Sequence, residues 1–339
     1  MTDVTALGEL LIDFTENGIS EQGNPILEAN PGGAPCNVLA MLTKLGNQTL
    51  FIGKVGNDSL GKMLKDKVTA LGIDTTYLYQ DEIVHTTLAF VHTAEDGDRE
   101  FSFYRNPGAD MMLRAEEVNE EAIKESKIFH FGTLSTTHEG VRAATKKAVE
   151  TAKQNQVLIS FDPNLREPLW DSLDEARKQV SYGMSMCDIL KISDNEIEWY
   201  TGESDYTKAV EKILENYQIP LILVSMGKQG SRAYYKNQMV EVPAILQKNT
   251  IETTGAGDTF DACVLDYILK HGLENLSEQS LKEMLTFANA AASIVTTRKG
   301  ALCVMPSKED VEEILKKYPE ADGVIAGNDI VAMSVYKVF

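Results

Sequence analysis

Short runs of β-branched and leucine side chains alternate along this chain with longer stretches in which apolar positions recur every three to four residues. The series opens with "VTALGELLIDF", the helix-like "APCNVLAMLTKLG", "TLFIGKV" and "SLGKMLKDKVTALG". It continues through "KIFHFGTL", "GVRAATKKAVETAKQNQ", "VLISFDPN", "SLDEARKQVSYGMS", "CDILKIS", "DYTKAVEKILENY" and "IPLILVSMG". Strands with period two and helices with period 3.6 are told apart by this spacing. Strand runs apolar on both faces must be covered on both, so the alternation predicts an α/β fold with a mostly parallel central sheet between two helical layers.

Two segments break the rhythm and read as antiparallel pairs. One is residues 15–30; the other is "HTTLAFVHTAEDGDREFSFYR", with an Asp-Gly turn at Asp96 and Gly97. Strands inserted in this way form a sheet apart from the main one. Beside a ligand they act as a lid that excludes water, and elsewhere they are a surface hairpin without a role. The expected organisation is an α/β body of residues 1–14, 31–85 and 106–320, a small β-sheet lid of residues 15–30 and 86–105, and a tail, 321–339, without a motif. No internal repeat is visible.

Composition narrows the function. The net charge of -19 arises from 51 acidic against 32 basic residues spread along 339 positions, which disfavours nucleic acid as a partner and requires a local basic site for any anionic substrate. The start, "MTDVTALGELLIDF", has no basic region before its apolar stretch, and no eighteen uncharged apolar residues run together. Neither a signal peptide nor a membrane span is expected, and the cytoplasm is the expected compartment. Cys36, Cys187, Cys263 and Cys303 lie far apart and read as reduced thiols, while the five histidines show no metal-binding spacing, so zinc is not expected.

Among the glycine-rich stretches, "GNDSLGKM" at residues 56–63 fits GxxxxGK, but Met63 stands where a phosphate-binding loop needs a hydroxyl for magnesium. No GxGxxG fingerprint is present either. "TTGAGDTFDAC", residues 253–263, is more informative. Gly255, Ala256 and Gly257 let a ligand approach the backbone where a helix begins and its unpaired amides favour an anion. Asp258 then stands where it can take a proton from a substrate hydroxyl during attack on phosphorus, or else it only caps the helix.

Three further stretches carry polar chemistry. "NPGGAPCN", residues 30–37, combines Gly32 and Gly33 with the bifunctional amide of Asn37, suited to sugar hydroxyls or to a tight turn. "SFDPNLREPLW" ends a strand in a polar loop with Arg166, a candidate clamp for phosphate or hydroxyl. "KISDNEIEWYTG" carries Glu196, which either holds a water on Mg²⁺ or completes a capping box with Ser193.

Taken together, "PGGAPCNVLAMLTKLG", "FIGKVGNDSLGKML", "DPNLREPLW", "LVSMGKQGS" and "TTGAGDTFDAC", in that order over residues 3–316, resemble the ribokinase-like (PfkB) carbohydrate kinases. Within that family the likeness is to bacterial fructokinases, through "GGAPCN", "FHFGTLS" and "DPNLREPLW". The resemblance implies the three-layer ribokinase-like fold and ATP-dependent phosphorylation of a sugar's primary hydroxyl. Asp258 would be the base, and the amides of Gly255, Ala256 and Gly257 the anion hole. Carried over position by position, Asp13, Gly32, Gly33, Asn37, Arg105 and Arg166 match sugar contacts, with Tyr104 beside Arg105. Asn164, Lys191, Ser225, Gly227, Gly230 and Asn289 match residues lining the nucleotide. Glu196 matches the acid linked to Mg²⁺. Glu252, Thr254 and the backbone around Val295, Arg298 and Gly300 match a monovalent-cation site, K⁺ being the ion implied. At that site Glu252 replaces the usual Asp and is one methylene longer. Cys36 and Cys263 stand where smaller residues are usual, which predicts local repacking.

The expected reaction is transfer from MgATP to the 6-hydroxyl of D-fructose. The alternatives are 2-keto-3-deoxygluconate, whose carboxylate calls for a basic pocket, or the substrate of another PfkB sugar kinase, and a non-catalytic sugar-binding regulator on the same fold. A homodimer through the exposed lid strands is the expected assembly.

Overall fold

The computed structural model describes residues 2–93 and 99–318, with residues 92, 93 and 99–101 described by their backbone only. The Asp96–Gly97 turn and the tail expected at 321–339 lie outside the described residues. The chain opens with β1 (Thr2–Leu7), a hairpin of β2 (Leu11–Ile19) and β3 (Pro25–Gly32), then α1 (Ala34–Lys44), β4 (Thr49–Gly56), α2 (Ser59–Ala70) and β5 (Asp74–Asp81). A second hairpin, β6 (Leu88–Thr93) and β7 (Arg99–Tyr104), precedes α3 (Glu120–Lys124), β8 (Ser126–Gly132), α4 (Glu139–Gln154), β9 (Leu158–Asp162) and α5 (Leu173–Met186). There follow β10 (Ile189–Ser193), α6 (Asp194–Thr201), α7 (Tyr206–Leu214), β11 (Leu221–Ser225), β12 (Ser231–Tyr235) and β13 (Gln238–Val242). Three helices close the described chain: α8 (Ala256–His271), α9 (Glu278–Val295) and α10 (Lys308–Lys317).

Nine strands form the main sheet in the order β13-β12-β11-β10-β9-β8-β1-β4-β5. The seven from β11 to β5 are parallel, and β12 and β13 add an antiparallel edge. One apolar layer packs α1, α2, α8, α9 and α10 on one face, and a second packs α3 to α7 on the other. The strands between them bury both faces: Phe129, Phe131 and Phe161 go to the second layer while Val4, Ala6 and Ile128 go to the first. This is the arrangement that uninterrupted apolar strand runs require. From β1 the chain first builds outward through β4 and β5 and later returns to β8 on the other side. The order therefore reverses beside β1, and ligands of such sheets sit at the carboxyl ends of the strands flanking that point.

The lid is a separate four-stranded sheet, ordered β3-β2-β6-β7. Each hairpin is antiparallel as expected, but the two join through a parallel pairing of β2 with β6, Ile12 to Leu88 through Thr15 to Val91. Its first strand also begins earlier than the sequence pattern indicated. "VTALGELLIDF" is two strands, because the chain turns after Leu7 and restarts at Leu11 in the lid. Gly8 permits that turn, since a Cβ there would lie 2.5 Å from Pro35 Cγ. Leu11 and Ile12 are as buried at the root of the lid as core strand residues are, so hydropathy continues across the break.

The GNDSLGKM stretch is a strand exit and a helix cap. Asp58 caps α2 by accepting from Gly61 N (2.8 Å) and also binds the backbone and hydroxyl of Thr86. A Cβ on Gly61 would sit 2.0 Å from the Gly56 carbonyl, so close packing explains the glycines. Cys36, Cys187 and Cys263 are buried free thiols and Cys303 is exposed. Among the described residues no helix is long and apolar enough to cross a membrane.

Candidate active site

A cavity of about 660 Å³ opens between the lid and the carboxyl ends of the main strands. Each part of the fold delivers side chains to it. The loop after β1 brings Glu9, the lid brings Leu11, Asp13 and Phe103, and the start of α1 brings Gly33, Ala34 and Asn37. The loops after β8 and β9 bring Leu134, Asn164 and Arg166, the end of β10 brings Lys191 and Ser193, and the first turn of α6 brings Glu196. Opposite them the segment from Thr250 to Asp258 runs into α8. The volume suits a sugar together with part of a nucleotide.

Asp258 sits in the first turn of α8, whose N-cap Gly255 has φ 78°. That left-handed conformation admits glycine, and a Cβ there would also come within 2.7 Å of Ala301 Cβ. One Asp258 oxygen accepts from Asn37 Nδ2 at 2.7 Å, and the other amide atom of Asn37, Oδ1, is buried without a partner among the described residues. Burial, reinforced by the nearby Asp162 carboxylate, raises the Asp258 pKa to about 6 against the pull of Asn37, Lys191 and Arg166. The group is thus ionised at neutral pH yet basic enough to take up a proton, the range that suits a general base.

Two more carboxyls on the wall are raised further. Burial lifts Asp13 to about 7, with Arg166 opposing and Glu252 and Asp258 reinforcing. Gly32 makes room for it, since a Cβ on Gly32 would fall 2.1 Å from Asp13 Oδ2. Glu9 also reaches about 7 through burial, although its own backbone and the Ala34 amide (3.0 Å) donate to it.

Behind the wall, Lys191 Nζ lies 2.9 Å from Asp162 Oδ2, and both side chains are almost wholly buried. Burial lowers the Lys191 pKa, but the Asp162 and Glu196 carboxylates outweigh it, so the ammonium stays charged well above its ordinary range. Gly257 holds the helix start against this lysine: a Cβ would be 3.1 Å from Nζ. The result is a fixed positive charge beside helix amides, the combination that binds phosphate. One turn further along α8, Asp261 is fully buried with both oxygens lacking hydrogen bonds among the described residues, 3.6 Å from His130 Nδ1. Burial, then Asp162, pushes Asp261 well above the usual carboxylate range, and burial drives His130 down to about 3, so the imidazole is neutral.

The pfkB family carbohydrate kinase profile matches residues 1–308. The chain belongs to this family. This kinase is 41% identical over 316 residues to a probable fructokinase-2 of Arabidopsis thaliana, covering 92% of this chain and 95% of the relative. It is 40% identical over 316 residues to fructokinase-1 of Zea mays, with 93% and 98% covered. Among solved structures, a fructokinase double mutant from Vibrio cholerae O395, bound to fructose, ADP and potassium ion, aligns with TM-score 0.84 at 27% identity over 93% of this chain and 98% of that one. A putative ribokinase II of E. coli in complex with ATP and Mg²⁺ aligns with TM-score 0.82 at 28% identity over 94% and 100%.

Of the kinase's residues matched from the sequence, Asp13, Gly33, Asn37, Asn164, Arg166, Lys191, Glu196, Glu252, Thr254, Gly255, Gly257 and Asp258 meet at the cavity. Others lie off its wall. Arg105 is buried and turned to Asp110, Thr137 and Leu134, and Tyr104 is 66% exposed on the outer lid with its ring against Phe90. Gly227 and Gly230 shape the turn after β11, while Lys228 between them reaches the cavity. Ser225 ends β11 paired with Ser231. Asn289 ties α9 to the end of β13 by donating to the Val242 and Pro243 carbonyls and accepting from Ser231 Oγ. The Ala256 amide donates to the Thr253 carbonyl at 3.2 Å, and Ala256, unlike Gly255 and Gly257, does not line the cavity.

The ion sites differ in character. Glu196 completes the capping box with Ser193 and accepts from Leu165 N (2.7 Å), so both oxygens are engaged. Among the described residues no three His, Cys, Asp or Glu side chains cluster as a metal cage. Glu252, Thr254 and Gly300 border one small cavity, where Glu252 Oε1 accepts from Gly300 N (3.1 Å). Val295 lends its carbonyl to Arg298 N, while the Arg298 guanidinium turns away to Val304 O and Asp310. The sequence reading missed Glu9, Phe103, Leu134 and Lys228 on the wall, and Asp162 beneath it. Glu9 had a signal, an acid directly after a glycine at the end of the first strand; Phe103 and Leu134 had none beyond hydropathy.

Proposed function

We propose that this kinase is an ATP-dependent fructokinase that phosphorylates the 6-hydroxyl of D-fructose. The observation that carries the reading is Asp258, raised to about 6 and oriented by Asn37 at the N-terminus of α8 within the shared cavity. Asp258 takes the proton of O6 as that oxygen bonds to the γ-phosphorus and the bond to the β-phosphate bridging oxygen breaks, leaving ADP. The amides of Gly255 and Gly257 with Lys191 hold the transferring group, and Asn164 and Lys228 flank the nucleotide. Asp13, Gly33, Asn37 and Arg166 bind the sugar.

Neutrality of the sugar is supported by the charge of the wall. Five carboxylates, Glu9, Asp13, Glu196, Glu252 and Asp258, face the cavity against Arg166, Lys191 and Lys228. A sugar acid would meet repulsion from Asp258, which is ionised at neutral pH, and Arg105 is already committed to Asp110. The fructokinase names of the relatives point the same way.

Mg²⁺ fits as an ion carried by the triphosphate with Glu196 reaching its water shell, since Mg²⁺ favours phosphates and water over an all-protein cage. It would neutralise phosphate charge. K⁺ fits the small cavity bordered by Glu252, Thr254 and Gly300. A homodimer through the lid is part of the reading, supported by exposed Ile19, Ile26 and Leu27 beside edge strand β3. The cytoplasm is the proposed compartment.

The test is ADP release at saturating MgATP with fructose, ribose, tagatose, adenosine and ketodeoxygluconate, with the phosphorylated carbon assigned by NMR. Fructose should give the highest kcat/KM and a 6-phosphate. Faster turnover of the sugar acid, or fructose binding without ADP release, would overturn the reading.

A further inference from the structure

We propose that Asp110 is a positioning residue that clamps both ends of the second lid hairpin to the wall of the sugar cavity. One carboxylate oxygen accepts from Thr87 Oγ1, the residue before β6. The other accepts from Arg105 Nε at 2.8 Å and lies 2.7 Å from its second terminal nitrogen, in the residue directly after β7. The hairpin thus leaves and rejoins the body at a single carboxylate.

The clamp continues into the cavity wall. Arg105 donates to Thr137 Oγ1 (2.8 Å) and to the Leu134 carbonyl (2.9 Å), and Leu134 lines the cavity. Phe103, two residues before Arg105, lines it from the lid. Thr87 O accepts from Ile12 N at 3.1 Å, which ties the same point to β2, the strand that carries Asp13. A rotation at Asp110 would therefore move Phe103, Leu134 and Asp13 relative to one another.

Two features argue for a dedicated device. The Arg105 and Asp110 side chains are each 2% exposed, so the pair is shut away from water and loss of either partner would leave an uncompensated buried charge. The backbone also folds around the pair: a Cβ on Gly108 would stand 1.8 Å from Thr87 Oγ1, 2.8 Å from Asp110 Oδ1 and 2.9 Å from Arg105 Cγ. No larger residue closes the loop over this clamp.

The proposal rests on the fructokinase reading, and the test separates the two. Asp110→Asn removes the charge at constant volume, and Thr87→Val removes only the lid-side hydroxyl. The KM for fructose should rise about tenfold in Asp110→Asn, the worth of one charge-assisted hydrogen bond, and by a smaller factor in Thr87→Val. The KM for ATP should stay within about twofold, and hydrolysis of ATP without sugar should become a larger share of ADP release, as water enters under a loosened lid. Amide exchange should quicken in β6 and β7 and stay unchanged in β8 to β11. An unchanged fructose KM in both variants, an equal rise for ATP, or faster exchange throughout the main sheet would overturn the clamp. If Asp110→Asn does not fold, Thr87→Val decides alone. If the wild type does not phosphorylate fructose, the substrate reading fails and the localisation of amide exchange decides the clamp.

Discussion

Replacing Asp258 by Asn should destroy activity and stabilise the apoenzyme, with a defined pH dependence. Burial and Asp162 lift this carboxyl from its ordinary 3.8 to about 6. An acid whose pKa is raised on folding carries no penalty below its unfolded value, and its ionised form destabilises the fold increasingly until the pH passes the folded value. The wild type therefore bears a penalty that is full above about pH 6 and absent below about pH 4. A rise of this size corresponds to about 3 kcal/mol, and allowing for the solvent that still reaches the half-buried side chain, about 1–3 kcal/mol is expected. Asn keeps the shape without the charge. Urea unfolding at pH 4, 6 and 8 should show Asp258→Asn equal to wild type at the lowest pH and more stable at the highest. The turnover number should fall about 10²–10⁴-fold, the usual worth of a general base. A turnover within tenfold of wild type would refute the role, and a stability difference independent of pH would refute the electrostatic account of the site.

Three further outcomes follow from the same geometry. In the wild type, kcat/KM for fructose should fall about tenfold per pH unit below about pH 6 as the free-enzyme base is protonated, and any additional step near pH 7 should shrink in Asp13→Asn to the part that Glu9 contributes. Lys191→Met leaves the nearly buried Asp162 without its ion-pair partner and should cost about 3–5 kcal/mol in urea unfolding, whereas the same change at an exposed lysine such as Lys62 should cost almost nothing. Gly255→Ala forces a side chain into φ 78° and toward Ala301, so it should lose about 1–2 kcal/mol from backbone strain alone and lower turnover in the coupled assay.

Much of the body was legible in the sequence because its signals are local. Apolar strand runs bounded by helical periods give a parallel sheet whatever their order, and GAGD before a helical pattern marks a candidate anion site from four residues. The lid was legible as a break in period, yet its boundary was not: Leu11 and Ile12 are apolar whether they continue β1 or begin the lid, and only the turn packed against Pro35 decides between the two. Arg105 shows the same limit. Its sequence neighbourhood places it beside the substrate, while the carboxylate that holds it, Asp110, is identified only when the chain ends of a hairpin are brought together.

By itself, then, the sequence determined the layer architecture and the family and singled out the carboxylate proposed as the base, because each depends on periodicity or on residues within one turn of each other. Tertiary structure decided which groups share an environment. Glu9, Asp13 and Asp258 come from three distant segments, and their raised pKa values arise because folding removes water from all of them in one cavity. Desolvation and mutual repulsion act through space, with a strength set by distances that no local pattern in the chain encodes.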